Sequence, residues 1–181
     1  MTDIFTINAV DYHVLKLLGH GKSGYSYLVE DGENNKYVMK KIHHEPIDYY
    51  TFGDKFKSEL DAYEFLKRLG ILMPKLLDYD SNQEILIKEY IEGNTVFESV
   101  SKDLDISNCL MRIFEISELC QKNEINIDFF PTNFINKNEG LYYIDYEFNE
   151  YMEKWNFQNW GIKYWSKTDE FHAYINNKST K

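Results

Sequence analysis

Cysteine is scarce in this chain of 181 residues, which contains only Cys109 and Cys120. Both fall in a stretch that we predict to be helical, where a separation of eleven positions corresponds to about 16 Å along the axis. That distance excludes a disulfide bond between them. We therefore expect two buried thiols in a protein of a reducing compartment.

Long apolar runs and an excess of positive charge are also missing. No run approaches the ~18–20 apolar residues that a membrane-spanning helix requires. The formal net charge of −10 argues against a surface for nucleic acid or anionic lipid. The amino terminus has neither the basic start nor the apolar core of a signal peptide. We expect a cytoplasmic protein that binds neither nucleic acid nor membrane.

Aromatic residues, by contrast, are abundant. They make up 17% of the chain, and all hydrophobic residues together make up 43%. This amount of apolar surface argues against intrinsic disorder. The length suits one good-sized domain or two small lobes that share a cleft.

Hydrophobic periodicity predicts an antiparallel sheet with one inserted helix, followed by a largely helical part. A break at Glu92–Asn94 divides an α+β, two-lobe plan into residues 1–92 and 93–181. We expect the polar residues from Asn176 onward to fray, and residues 43–53 to form a loop. The expected strands are 11–18, 25–30, 36–42, 75–79 and 84–89, with a small hairpin around 136–140; the expected helices are 54–69 and 106–123.

Three glycines with G-x-G-x-x-G spacing, Gly19, Gly21 and Gly24, stand between the first two predicted strands. Glycine allows a tight turn and a close approach of the backbone to a phosphate. In a dinucleotide-binding fold the third glycine begins a helix. Here the residues after Gly24 favour a strand, which argues against an NAD-binding fold. A hairpin turn without a ligand is the structural alternative.

Charged and amide side chains follow the glycines in an order that phosphate chemistry can use. Lys40 lies near the end of the predicted strand 36–42, and Glu59 borders the apolar face of the first helix, where it could pair with Lys40. Because side chains alternate along a strand, Lys41 is expected on the opposite face. Glu64 is a weaker candidate than Glu59 for the pairing. Without a functional role, Lys40 and Glu59 would be ordinary charged residues on the surface.

The second half of the chain supplies two carboxylates and an amide. Asp128 and Asn133 are five positions apart in a loop, and Asp145 follows a short apolar strand. A carboxylate can orient or deprotonate an attacking hydroxyl group. Carboxylate and amide oxygens also suit Mg²⁺. Loop-forming Asp, Pro and Asn without any chemistry are the alternative interpretation.

Taken together, residues 12–148 resemble a protein-kinase-like phosphotransferase of two-lobe α+β fold. The resemblance implies ATP and Mg²⁺ as cofactors and a hydroxyl acceptor as the second substrate. The region Leu18–Val29 resembles the glycine-rich loop, with Gly19, Gly21 and Gly24 at the phosphates. Further roles that the resemblance implies are phosphate binding by Lys40 with its partner Glu59, adenine binding by the backbone of Glu89, Tyr90 and Ile91, orientation of the acceptor by Asp128, and metal binding by Asn133 and Asp145.

The chain departs from the protein-kinase pattern in its second half. Asn126–Ile127 stands in place of His-Arg, and Phe130 in place of a lysine that steadies the γ-phosphate. Asp145–Glu147 reads D-Y-E in place of D-F-G. Only 36 residues follow Asp145, which leaves no room for the usual peptide-binding helices.

These departures leave the acceptor open between a protein Ser/Thr and a small alcohol. The run Ile144–Phe148 is similar to that of choline kinases and related aminoglycoside-type kinases, and very short kinases of the tRNA-threonylcarbamoyl machinery also lack most of the large lobe. A catalytically weak or inactive, pseudokinase-like module that binds nucleotide or a partner is the alternative function. We expect the aromatic side chains of the tail to cover the small helical lobe rather than form a box for a quaternary ammonium. These are Trp155, Phe157, Trp160, Tyr164, Trp165, Phe171 and Tyr174.

Overall fold

The computed structural model describes residues 3–45, 53–138 and 140–178. These residues form two compact units. The first contains the chain up to Tyr63 together with Pro74–Tyr90, and the second contains Glu64–Met73 and the chain from Ile91 onward. The α+β class expected from the sequence is confirmed.

A six-stranded antiparallel sheet forms most of the first unit. Its spatial order is β1-β2-β3-β4-β6-β5, so that β4 lies between β3 and β6. Its strands are β1 (Ile4–Ile7), β2 (Val10–His20), β3 (Gly24–Glu30), β4 (Lys36–Ile42), β5 (Leu76–Asp80) and β6 (Ile85–Glu89).

Both faces of this sheet are covered along β6, where Ile85 through Lys88 are all buried. Ile85 and Ile87 share one cluster with residues of β1 to β4, which requires the sheet to curl. Leu86 points to the opposite face, where it packs with Ile42 and with Phe56 of the first helix. The first cluster consists of Ile7, Tyr12, Val29, Met39, Ile85 and Ile87.

Helix α1 (Lys55–Arg68) carries the apolar stripe that its sequence predicts. Phe56, Tyr63 and Leu66 are buried on it. The helix ends at Arg68, and Gly70 follows with a φ of +84°, in the left-handed region that glycine tolerates best. Residues of α1 up to Tyr63 belong to the first unit, and those from Glu64 onward to the second.

Among the described residues, the second unit contains three further helices and two small antiparallel strand pairs. The hairpin β8–β9 follows a short turn of 3₁₀ helix, Pro131–Asn133. The second pair joins β7 to β10. The bounds are α2 (Val96–Ser101), α3 (Ser107–Lys122), β7 (Ile125–Asn126), β8 (Phe134–Lys137), β9 (Gly140–Tyr143), β10 (Asn149–Glu150) and α4 (Asp169–Lys178), with 3₁₀ turns at Glu153–Trp155 and Gly161–Tyr164.

Aromatic rings fill the interior of this unit, as expected for the tail. The Trp165 indole packs against Phe134 and Phe157 and donates a hydrogen bond of 2.8 Å to the Phe129 carbonyl. Phe171 is also fully buried. Trp155 is an exception, because 47% of its surface is exposed, and for this residue the expected core role is wrong.

Several boundaries differ from the sequence-based expectations. Strand β1 and helix α2 were not predicted, and β2 extends beyond the expected range at both ends. Helix α4 continues through Asn176 to Lys178, so fraying from Asn176 is wrong for these residues. Residues 46–52 of the expected loop, and residues 179–181, lie outside the described residues. Within the described part of the chain, no helix is both long and apolar enough to cross a membrane.

Candidate functional site

The glycine turn, Gly21–Gly24, connects β2 to β3. The amide of Gly21 donates a hydrogen bond of 2.9 Å to the Gly24 carbonyl, which closes the turn. A Cβ atom at Gly24 would lie 2.6 Å from the Lys41 carbonyl oxygen, so the adjacent strand β4 excludes a side chain here. Gly19 lies within β2, and a Cβ atom there would meet open space. Packing within the fold therefore requires glycine at position 24 but not at position 19.

Lys40 and Glu59 form a buried ion pair in the first unit. Only 9% of the Lys40 side chain and 7% of the Glu59 side chain are exposed. The second carboxylate oxygen of Glu59 lies 3.8 Å from the buried Lys88 ammonium. Lys41 is exposed, as strand alternation predicts, and Glu64 is exposed on the far side of the helical stripe. The order of residues along β4 and α1 thus selects Lys40 and Glu59 as partners.

Ser23 connects this ion pair to the glycine turn. Its hydroxyl donates a hydrogen bond of 3.0 Å to Oε1 of Glu59, the same oxygen that receives Lys40. A polar side chain of the turn is therefore bound to the carboxylate that positions the lysine. The arrangement holds an ammonium and a glycine-lined turn in one part of the unit, where both could contact phosphate oxygens.

Lys55 gives the turn a second attachment that the sequence did not reveal. Its buried ammonium donates hydrogen bonds to the carbonyls of His43, at 2.8 Å, and Lys22, at 3.3 Å. It joins the first turn of α1 to the glycine turn and to the segment after β4. No local pattern marks a lysine at the start of a helix as buried.

The resemblance implies that the backbone of Glu89, Tyr90 and Ile91 binds adenine, and Glu89 is the last residue of β6. The Glu89 amide donates a hydrogen bond of 2.9 Å to the Lys75 carbonyl, and the Glu89 carboxylate accepts one of 3.2 Å from the Lys75 amide. The Glu89 N–H is thus used within the unit. The adenine interpretation therefore depends on the Glu89 carbonyl and on the backbone of Tyr90 and Ile91.

Asp128 and Asn133 lie at the two ends of one turn in the second unit. The Asp128 carboxylate accepts a hydrogen bond of 3.0 Å from the Phe130 amide. The Asn133 side-chain amide donates to the Asp128 carbonyl at 3.4 Å. The Asn133 side-chain nitrogen is directed to the Asp128 carbonyl. The side-chain oxygen of Asn133 can therefore coordinate a cation. The Asp128 side chain is exposed, which is compatible with contact to a substrate.

Asp145 is placed beside this turn by the backbone. The Ile144 amide donates a hydrogen bond of 2.9 Å to the Asn133 carbonyl, and the Tyr146 amide donates one of 3.0 Å to the Asp145 carboxylate. The structure thus brings Asp128, Asn133 and Asp145 into one part of the second unit. Their oxygens form the type of donor set that Mg²⁺ prefers.

Tyr143 fixes the spacing of this region and was not anticipated. Its hydroxyl accepts a hydrogen bond of 3.4 Å from the Asp128 amide and donates one of 3.0 Å to the Glu147 carbonyl. Burial raises the pKa of the Tyr143 phenol well above its usual value, and the charges of Asp145, Asp128 and Glu147 raise it further. Three carboxylates therefore act on one buried hydroxyl.

Phe130, two residues after Asp128, packs within a group of aromatic rings. Its ring centroid lies 4.7 Å from that of Tyr174 and 4.9 Å from that of Tyr164. Trp160 and Phe97 follow at 6.1 Å and 6.3 Å. A ring thus stands where the kinase pattern has a lysine, and Phe130 itself contacts the rings that a quaternary-ammonium box would need.

Lys40, Glu59 and the glycines belong to the first unit, whereas Asp128, Asn133 and Asp145 belong to the second. Within its own unit, each group lies together in the way its order in the sequence predicts. The catalytic, nucleotide-binding and metal-binding roles assigned to these residues stay predictions.

Comparison with known proteins gives a distant relationship. No protein-family model matches the chain. Serine/threonine-protein kinase PknA of Nostoc sp. is 28% identical over an alignment of 138 residues that covers 68% of this chain and 24% of that protein. Serine/threonine-protein kinase MPS1 of Saccharomyces cerevisiae is 32% identical over 84 residues, which is 46% of this chain and 11% of that protein. The chain is thus similar to a part of each kinase, and it spans no more than about a quarter of the length of either kinase.

Proposed function

We propose that this chain is an ATP- and Mg²⁺-dependent phosphotransferase with a two-lobe, protein-kinase-like fold. The observation that carries the proposal is the buried Lys40–Glu59 pair, connected through Ser23 to the glycine turn. Burying an ion pair costs desolvation free energy that apolar residues would avoid. A role for the Lys40 ammonium in binding phosphate explains why the fold contains this costly pair.

In this proposal residues 1–92 are the amino-terminal lobe and bind the nucleotide. Glu59 holds Lys40 in position, and Lys40 binds the α- and β-phosphates. Gly19, Gly21 and Gly24 lie over the phosphates, where the absence of side chains lets the backbone approach them closely. The Glu89 carbonyl and the backbone of Tyr90 and Ile91 bind adenine.

Residues 93–181 belong to the carboxy-terminal lobe and act on the acceptor. Asp128 orients the acceptor hydroxyl and receives its proton. Asn133 and Asp145 would hold Mg²⁺, which neutralises charge on the β- and γ-phosphates. Since phosphoryl transfer depends mainly on positioning and charge stabilisation, these few groups suffice for the reaction.

The two kinase relatives favour a protein Ser/Thr as the acceptor. The run Ile144–Phe148 favours a small alcohol. The test is transfer of labelled γ-phosphate from ATP to a mixed panel of proteins and amino alcohols, with the labelled product identified by mass spectrometry.

Two matched pairs of variants make this test specific. Lys40→Ala should abolish transfer, whereas Lys41→Ala, one position along the same strand, should retain it. Asp128→Ala should abolish transfer, whereas Asp61→Ala, which removes only an exposed surface ion pair, should not. Transfer by Asp128→Ala at the wild-type rate would eliminate its assignment as the catalytic carboxylate.

A second candidate function is a module that binds nucleotide or a partner protein without phosphate transfer. Phe130 favours it, because its ring supplies no charge where protein kinases have a lysine. This function predicts thermal stabilisation by Mg·ATP with no transfer to any acceptor. Slow autophosphorylation that Lys40→Ala abolishes would exclude it.

A further inference from the structure

Three side chains of types that can ligate metals lie beside the glycine turn. None of them has a role in the proposed phosphotransfer. His20 ends β2, while His43 and Glu45 follow the end of β4. One ring nitrogen of each histidine and one carboxylate oxygen of Glu45 lie within 4.8 Å of one another. We propose that His20, His43 and Glu45 form a binding site for a divalent transition-metal ion of the zinc type.

The ligand set decides the class of metal. Imidazole nitrogens suit Zn²⁺, Cu²⁺ and Ni²⁺, whereas Mg²⁺ prefers oxygen ligands. Metal–ligand bonds of about 2.0–2.2 Å in a tetrahedral site place the ligand atoms about 3.3 Å from one another. Nε2 of His20 and Oε2 of Glu45 are already 3.5 Å apart. The other ligand-atom separations are within 4.8 Å, so side-chain rotations that shorten a separation by at most about 1.5 Å would close the site, and water would complete the coordination.

Tyr25 holds two of the three ligands in place. Its hydroxyl donates a hydrogen bond of 2.6 Å to Oε1 of Glu45, which leaves Oε2 directed to His20. Its ring stacks on the His20 imidazole with a centroid distance of 4.2 Å and an interplanar angle of 5°. Partners of this kind orient ligands and raise metal affinity.

His43 is oriented by the backbone. Its Nε2 lies 3.0 Å from the Gly21 carbonyl, and its Nδ1 accepts a hydrogen bond of 3.2 Å from the Glu45 amide. A metal would replace one of these contacts, and the other would keep the ring in position. Occupancy of the site would tie the end of β2 to the segment that follows β4. The site does not depend on the proposed phosphotransfer, since none of its three ligands has a role there.

The test is isothermal titration of the full chain with zinc chloride in a buffer that does not chelate metals. The wild-type chain should bind one Zn²⁺. His20→Ala and His43→Ala should each weaken binding by about tenfold or more, and Tyr25→Phe by about tenfold. His44→Ala is the matched control, because His44 neighbours His43 but pairs with Glu84, and it should bind Zn²⁺ as the wild type does.

Failure of the wild-type chain to bind Zn²⁺ stoichiometrically would overturn the proposal. A His20→Ala, His43→Ala double variant that binds Zn²⁺ as tightly as the wild type would do the same. Visible absorption of the Co²⁺-loaded wild-type chain adds a measurement that needs no variant. We expect the intense bands of four-coordinate cobalt, and a spectrum equal to that of hydrated Co²⁺ would also reject the site.

Discussion

Replacing Glu59 by Gln should destabilise the protein more than any other single change in the buried ion pair. The variant keeps the size of the side chain but removes a charge whose two oxygens serve three partners, Ser23, Lys40 and Lys88. Removing one member of a buried ion pair typically costs about 3–5 kcal/mol. The side chain is almost fully buried, so solvent screens little of this effect.

Lys40→Met should cost less, about 1–3 kcal/mol. In this variant the Glu59 carboxylate keeps the Ser23 hydroxyl and the Lys88 ammonium. The expected order, with Glu59→Gln less stable than Lys40→Met, follows from the buried charge that each change leaves: Glu59→Gln leaves two ammonium groups, Lys40 and Lys88, beside a neutral amide, whereas Lys40→Met leaves the Glu59 carboxylate beside the Lys88 ammonium. The proposed function, by contrast, predicts that phosphate transfer is lost as severely in Lys40→Met as in Glu59→Gln.

The assay is urea unfolding followed by far-ultraviolet circular dichroism, with the free energy of unfolding extrapolated to water. Glu64→Gln is the matched control, because Glu64 lies on the same helix but is exposed, and it should stay within about 0.5 kcal/mol of the wild type. A loss below about 1 kcal/mol for Glu59→Gln, or a larger loss for Lys40→Met, would refute this account of the pair.

Three further predictions concern the turn, an exposed carboxylate and the thiols. Gly24→Ala should lower the free energy of unfolding by about 1–3 kcal/mol, because its Cβ atom would meet the backbone of β4, whereas Gly19→Ala should change it little; urea unfolding distinguishes the two. Hydrogen bonds, chiefly from the Asn35 side chain, lower the pKa of Asp31 from 3.8 to about 2. Its stabilising contribution is therefore present above about pH 4 and lost as the pH falls towards 2, so Asp31→Asn should lose less stability than the wild type in that window. Burial raises the pKa of the Cys120 thiol to about 12 and also raises that of Cys109, so a thiol reagent at pH 8 should label both only after unfolding, and rapid labelling of the folded chain would contradict their burial.

The regular elements of the chain could be predicted because their signals are local. Strand β4 has the predicted bounds, and α1 and α3 lie within one residue of theirs at each end. In each case the element has seven residues or more, which is long enough for its hydrophobic period to indicate its type. Strand β1 has four residues and α2 has six, which is too short for such a period to show. Helix α2 nevertheless carried a readable signal, the capping box formed by Thr95 and Glu98.

The candidate site likewise contains residues whose positions could be predicted from the sequence and residues whose contacts could not. Alternation along β4 predicted that Lys40 and Lys41 would point to opposite faces, and the spacing from Gly24 favoured Lys40. The helical period placed Glu59 where Lys40 could reach it. The contacts of Tyr143 could not be predicted, since a tyrosine in an apolar strand has the same pattern whether or not its hydroxyl bonds to distant backbone. The carbonyl contacts of Lys55 are equally invisible, because they join segments far apart in the sequence.

The Tyr143 phenol has a mechanical consequence for the second unit. An aromatic ring cannot shorten or bend, and its hydroxyl is held at once by the Asp128 amide and the Glu147 carbonyl. The distance between the strand that carries the ring and the two segments that grip its oxygen is therefore set by a rigid covalent spacer. A flexible side chain at this position would allow the distance between those segments to vary. The rigid Tyr143 ring keeps that distance constant in the folded unit.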